Sequence, residues 1–269
     1  MTHSDDLRLK QRLLNAYDTQ LREEAEMTSA TSYDRDGPLW RGKFDTRGFV
    51  SYRDLGGFTG TDLDDLIART IKHYADDDRI ASFEWKTRGH DAPPDLPERL
   101  VAHGLQAQEQ ETVMLGEAAS LAVDVSLPPG VRVRRIDDQP NRMPDIVRAA
   151  AAQERAFSVA FGVDDFVRRI EKNRGLVEIW VAEARDEVVC TGRLEVVPGT
   201  EFAGVWGGGT VPEWRGKGIY RALTAARAKS ALRRGVRFLH SDSTEFSRPI
   251  LQRSGLLPVT TTTPYVWTR

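Results

Sequence analysis

The chemistry easiest to read in this chain lies in the stretch Thr210-Val211-Pro212-Glu213-Trp214-Arg215-Gly216-Lys217-Gly218-Ile219-Tyr220, between a strand-like run and a helix-like one. Gly216 and Gly218 let the backbone curl so that successive amides point into one concavity, and the start of the following helix adds unpaired N–H groups and its dipole. Such a turn suits a pyrophosphate, with Arg215 and Lys217 able to supply charge. Ile219, Ala222, Leu223 and Ala226 then recur at helical spacing and form the face that packs the helix on a sheet. Two other phosphate loops do not fit. A Walker loop needs Ser or Thr after its lysine, where Gly218 follows Lys217, and a dinucleotide fingerprint needs a third glycine where Arg221 stands.

The rest of the chain bounds what that turn can serve. With 269 residues, 38 Lys+Arg against 40 Asp+Glu and a net charge of -2, no global field recruits a nucleic acid or an anionic membrane, so any anion site is local. Charged residues at 29% and apolar ones at 40% support a folded, solvated protein rather than a disordered one. Cys190 is the sole cysteine, the Met-Thr-His-Ser-Asp-Asp start lacks the features of a signal peptide, and no run approaches the ~20 apolar residues of a membrane span. A cytoplasmic protein is expected. No His/Cys cluster offers a zinc site, and Asp76-Asp77-Asp78 reads as a solvated turn without calcium-loop spacing, so no metal is expected.

Periodicity predicts the elements that position the turn. Leu9, Leu13, Tyr17 and Leu21 predict a helix over Asp5–Met27; residues 28–38 have loop composition; a strand follows at Gly48–Leu55 and a helix at Asp62–Ala75 capped by Thr61. Strand, short helix and strand come next at Ile80–Lys86, Leu96–His103 and Gln108–Leu115. Pro128-Pro129-Gly130 stops any regular element and marks the expected boundary between domains 1–127 and 128–269. Beyond it come a strand at Val131–Ile136, helices near Met143–Gln153 and Asp164–Asn173, and a hairpin of Val177–Ala184 with Val188–Val197. A strand at Phe202–Val211, with its unusual Gly207-Gly208-Gly209 run, leads to the turn. Helix Gly218–Arg234, strand Val236–Asp242, helix Pro249–Ser254 and strands Leu257–Thr261 and Pro264–Thr268 complete the chain. Both halves place Gly-Leu after a short helix, at Gly104-Leu105 and Gly255-Leu256, which reads as a duplication.

The stretch Arg215-Gly216-Lys217-Gly218-Ile219-Tyr220 resembles the acyl-CoA loop Arg/Gln-x-x-Gly-x-Gly/Ala of the GNAT family of N-acyltransferases, with Tyr220 in place of the final small residue. Pro212-Glu213-Trp214 before the loop, and Ser247 to Leu256 as the next helix and glycine, also look like that family. The first half resembles the same fold with its loop lost: Gly56-Gly57-Phe58-Thr59-Gly60-Thr61 is glycine-rich but carries no basic residue. The resemblance implies an α/β fold, two tandem GNAT-like domains each with a mixed central sheet flanked by helices, of which the second binds acetyl-CoA.

It further implies an N-acetyltransferase in which acetyl-CoA, as co-substrate, lies in a notch between the Phe202–Val211 and Val236–Asp242 strands. Gly209, Thr210 and Val211 would pair with the pantetheine arm, and the amides of Gly216, Lys217, Gly218, Ile219, Tyr220 and Arg221 would hold the pyrophosphate, with Arg215 supplying charge. Ser247 is either a helix cap or a coenzyme contact. Direct attack by the acceptor amine needs no acyl-enzyme, so Cys190 is expected to be a buried structural thiol. An ammonium acceptor must lose a proton; Asp242 is the first candidate base, His240, on the same strand face, the second, then Glu201 and Glu195. The tyrosine that many family members use to protonate the thiolate is Leu251 here, leaving Tyr265 or Tyr220 to substitute. A small-molecule amine is the expected acceptor and a protein amine the alternative, selected by loops such as Ala149–Val163; the protein is expected to be a monomer or homodimer. The competing reading is a non-catalytic acyl-CoA-binding or partner-docking protein on the same scaffold.

Overall fold

The first helix is shorter than its apolar period suggests. In the computed structural model, which describes residues 3–159 and 162–269, α1 spans His3–Gln20 and a 3-10 turn follows at Glu23–Met27. Glu23 takes a left-handed φ of 62°, which no helix continues. β1 (Ser32–Asp36) and β2 (Leu39–Phe44) form an antiparallel hairpin where loop composition was expected. Its signal is hidden because β1 is an exposed edge strand built of Ser, Tyr, Asp and Arg. β3 (Arg47–Ser51), α2 (Gly60–Ala75), β4 (Ser82–Arg88), α3 (Leu96–Ala102), β5 (Gln106–Ala107) and β6 (Glu111–Glu117) follow.

The remaining elements are α4 (Ala118–Leu121), β7 (Val131–Arg135), α5 (Met143–Phe157), α6 (Val163–Lys172), β8 (Val177–Ala184), β9 (Glu187–Val196), β10 (Phe202–Thr210), α7 (Ile219–Arg233), β11 (Phe238–Ser243), α8 (Arg248–Ser254) and β12 (Leu257–Thr268). The two terminal strands expected from the sequence are one, with Pro264 inside it.

Two compact units result. The first comprises the chain to Met114 with Asp242–Pro249 and Pro258–Arg269, the second Leu115–Ser241 with Ile250–Leu257. No single cut separates them: the expected boundary at Pro128–Gly130 falls inside the second unit, and β12 belongs mostly to the first. The physical reason is hydrogen bonding, since β12 runs antiparallel to β4 from Thr262↔Arg88 to Thr268↔Ser82 and satisfies that strand's edge. In the first unit the order is β1-β2-β3-β4-β12, antiparallel except for the parallel β3–β4 pair that α2 connects. In the second it is β7-β8-β9-β10-β11, antiparallel except for the parallel β10–β11 pair that α7 connects. A meander followed by a crossover helix and a parallel strand therefore occurs twice, as a duplication requires.

In the first unit, β4 turns Phe83 and Trp85 into a core with Tyr52, Leu63, Leu66, Ile67, Tyr74 and Leu100. Its opposite face is polar. Arg88 is buried and donates to Glu26 at 2.8 Å and to the Tyr17 hydroxyl at 3.0 Å, and Lys86 donates to Asp242 at 2.5 Å. The Asp76–Asp78 turn is partly committed to ion pairs, Asp77 accepting from Lys43 at 2.8 Å and Asp76 from Lys72 at 2.7 Å.

Candidate functional site

β10 pairs with β11 only at Phe202↔Phe238, Ala203↔Leu239 and Gly204↔His240, then runs on to Thr210. On its other side it stays with β9 through a bulge: Trp206↔Arg193 is followed by Gly209↔Thr191, so β10 spends one residue more than β9. The bulge explains the glycine run. Gly207 has a left-handed φ of 56°, and a Cβ there would lie 2.6 Å from Nη1 of Arg193. On Gly208 a Cβ would meet the Tyr220 ring and hydroxyl at 2.7 Å, and on Gly209 it would meet Phe157 at 2.8 Å and Ala156 at 2.9 Å. Side chains from α5 and α7 thus close on the bulged strand from its two faces. Tyr220, the departure from the family's loop pattern, has its room because residue 208 is glycine.

The loop beyond Thr210 is held by few contacts. Val211 is buried, a 3-10 turn spans Pro212–Trp214, and Gly216 and Gly218 both have φ of 75°, with Gly218 as the N-cap of α7. The amides of Gly218, Ile219, Tyr220 and Arg221 are those that a helix start leaves unpaired, and together with the dipole they form a seat for a polyanion. Arg215 is spent on the loop itself: Nε donates to the Thr210 carbonyl at 3.1 Å and Nη2 to that of Ala156 at 2.9 Å. Lys217 rests with Nζ 4.4 Å above the Trp214 ring, and Arg221 is exposed. Ser247 donates to the Thr244 carbonyl at 3.4 Å, in the turn before α8.

The expected acid–base groups are scattered. His240 stands in the second unit at the last β10–β11 pair, edge-on to Trp206 with centroids 5.2 Å apart. Asp242, two residues on along β11, belongs to the first unit, where Lys86 holds it; their side chains are 9% and 17% exposed. Burial works to lower the pKa of the Lys86 ammonium and Asp242 outweighs it, so the pKa is raised. Glu201 lies just before β10, at the end away from the loop, 3.5 Å from Arg237, with both side chains about half exposed. Glu195 accepts from Arg193 at 2.9 Å and from Arg169 at 3.5 Å. Tyr265 lies in the core of the first unit, 6% exposed, its pKa raised by burial and then by Glu98. Leu251 is buried.

Cys190 is fully buried on β9, where burial pushes its thiol up to about 11 even though Thr210 donates to the sulfur at 3.2 Å. Three neighbours of the bulge were not singled out from the sequence: Gln153, Arg193 and Arg227, all buried. Nothing in the sequence marks them: β9 carries Glu187 and Glu195 beside Arg193, and Gln153 and Arg227 sit in helices of ordinary composition. Within the expected acceptor-selecting segment 149–163, residues 160 and 161 lie outside the described residues.

No protein-family model and no curated protein matches the sequence. Solved structures do. A GCN5-related N-acetyltransferase from Kribbella flavida is similar over 95% of this chain and 94% of its own, with 17% identity and a TM-score of 0.68. A tandem GNAT protein from the clavulanic acid biosynthesis pathway is similar over 96% and 95%, with 14% identity and a TM-score of 0.59. A GCN5-related N-acetyltransferase from Sphaerobacter thermophilus aligns over 86% and 76%, with 17% identity and a TM-score of 0.61. The chain therefore has the tandem GNAT fold along essentially its whole length. Among the described residues no helix is long and apolar enough to cross a membrane, and no group of three or more His, Cys, Asp or Glu is placed to hold a metal.

Proposed function

We propose that the protein is an N-acetyltransferase that moves the acetyl group of acetyl-CoA to an acceptor amine by direct attack, with the second unit binding the coenzyme. The observation that carries this is the junction of β10 with α7: the edge of β10 beyond the last β11 pair leads into a two-glycine turn at a helix start. A pantetheine arm pairs naturally with such an edge, and a diphosphate with such a turn. The first unit has the corresponding turn at Gly56–Gly60, but Phe58 packs on the core there and the turn itself carries no basic residue, which supports one coenzyme per chain.

In the proposed reaction the amine nitrogen attacks the thioester carbonyl, a C–N bond forms as the C–S bond breaks, and coenzyme A leaves as thiolate. The amine's proton goes to a base. His240 suits that role better than Asp242 or Glu201, because it stands at the last β10–β11 pair, where the two strands part, whereas Glu201 lies at the far end of β10. Tyr220, against Gly208, suits proton return to the thiolate better than Tyr265, which is in the core.

The binding-protein alternative draws on Leu251 and on the Lys86–Asp242 pair, which remove the two groups most expected to do proton transfer. A thiol-release assay over a panel of small amines separates the readings. Turnover on any of them, reduced roughly 100-fold in His240→Ala, supports the enzyme; coenzyme binding with no release on any amine supports the binder.

A further inference from the structure

Arg193 and Gln153 meet at the bulge, the guanidinium of Arg193 lying 6.0 Å over the Phe166 ring. Arg193 is 8% exposed, and the hydrogen bond it makes among the described residues runs from Nε to Glu195. Its Nη1 lies 2.6 Å from where a Cβ of residue 207 would be. Gln153, from α5, is 6% exposed, and its Oε1 lies 3.3 Å from the same point with no hydrogen-bond partner. The charge is unbalanced as well. Two guanidinium groups, Arg193 and Arg169, share the Glu195 carboxylate. The orphaned Gln153 carbonyl costs stability until something pairs with it. An Arg193–Gln153 hydrogen bond would satisfy it, and the structure does not have one.

We infer that this corner of the bulge is the acceptor's recognition site and that the acceptor is an amino acid-like amine, carrying a carboxylate near the nitrogen to be acetylated. The carboxylate takes the Nη edge of Arg193, a geometry that a planar guanidinium fits well. An N–H of the amine donates to Gln153 Oε1, which turns the nitrogen toward the strand edge where the thioester lies in the proposed function. Gly207 is part of the device, since any side chain there would push the guanidinium away. The inference rests on the acyltransferase reading for its purpose, but the site itself binds its ligand without turnover.

The test uses matched pairs, lysine with cadaverine and phenylalanine with phenethylamine, titrated calorimetrically into the full chain with and without acetyl-CoA, then compared in the thiol-release assay. The amino acids are expected to bind and turn over at least about tenfold better than their decarboxylated partners. Arg193→Gln is expected to erase that preference while leaving acetyl-CoA affinity intact, and Arg193→Lys to restore part of it. Gln153→Leu should weaken both members of each pair alike, and it serves if Arg193→Gln does not fold. Equal binding of the amino acids and the plain amines, or a loss in Arg193→Gln that is the same for both, overturns the inference. A chain that binds no acetyl-CoA yet still prefers the amino acids refutes the acyltransferase reading and leaves the recognition site standing.

Discussion

Asp242 shows how a residue well placed in sequence can be reassigned by its neighbour. Its same-face spacing with His240 made it the first candidate base, but the ammonium of Lys86 lies 2.5 Å from it, on a strand remote in sequence. Removing that ammonium alone strands a buried charge. Lys86→Met is expected to destabilise the protein by about 3–5 kcal/mol, and Lys86→Met with Asp242→Leu to recover most of the loss; urea denaturation of the two variants checks this. The pair also gives a pH dependence. The folded-state pKa of Lys86 is raised above its unfolded value, so its contribution is complete below the unfolded pKa of ~10.4 and is lost as pH rises through the folded one. The stability of wild type relative to the double variant should therefore fall only under strongly alkaline conditions; a fall on going from weakly acidic to neutral pH would contradict the assignment.

At the scale of elements, the bulged β10 and the helix α7 are matched to each other. Gly208→Val forces a side chain into the Tyr220 ring and is expected to cost about 1–3 kcal/mol, with Tyr220→Ala in the same chain relieving much of it; thermal melts of the single and double variants decide. The turn at Gly216 and Gly218 was legible in the sequence because left-handed backbone leaves a direct mark in residue type. So were α2, α5, α7, β8 and β9, where apolar spacing is regular. The β1–β2 hairpin was not, since an exposed edge strand has no apolar alternation to read. The Arg193–Gln153 corner was illegible for a different reason: it arises from a strand and a helix that meet only in the fold, and neither residue is unusual where it stands in the chain.

For the whole molecule, the duplication was readable from two short helices ending in Gly-Leu, but the exchange of segments between units was not, because nothing local in β12 names the strand it pairs with. This has a consequence for truncation. A chain of residues 1–127 lacks β12 and leaves β4 with an unpaired edge, so it is expected to aggregate or to show no cooperative thermal transition; a sharp, reversible melt would contradict the observed pairing. The two units are also expected to behave differently toward coenzyme, since Phe58 of the first unit's turn packs on the core and that turn carries no basic residue, whereas Arg215 and Lys217 flank Gly216 in the second. The most direct measurement is calorimetric titration of acetyl-CoA into wild type and Gly218→Asp. One coenzyme bound per chain is expected, with binding weakened at least about 100-fold in Gly218→Asp, where a carboxylate meets the diphosphate and the left-handed backbone is strained. No binding by the wild type, or equal binding by the variant, would contradict that expectation.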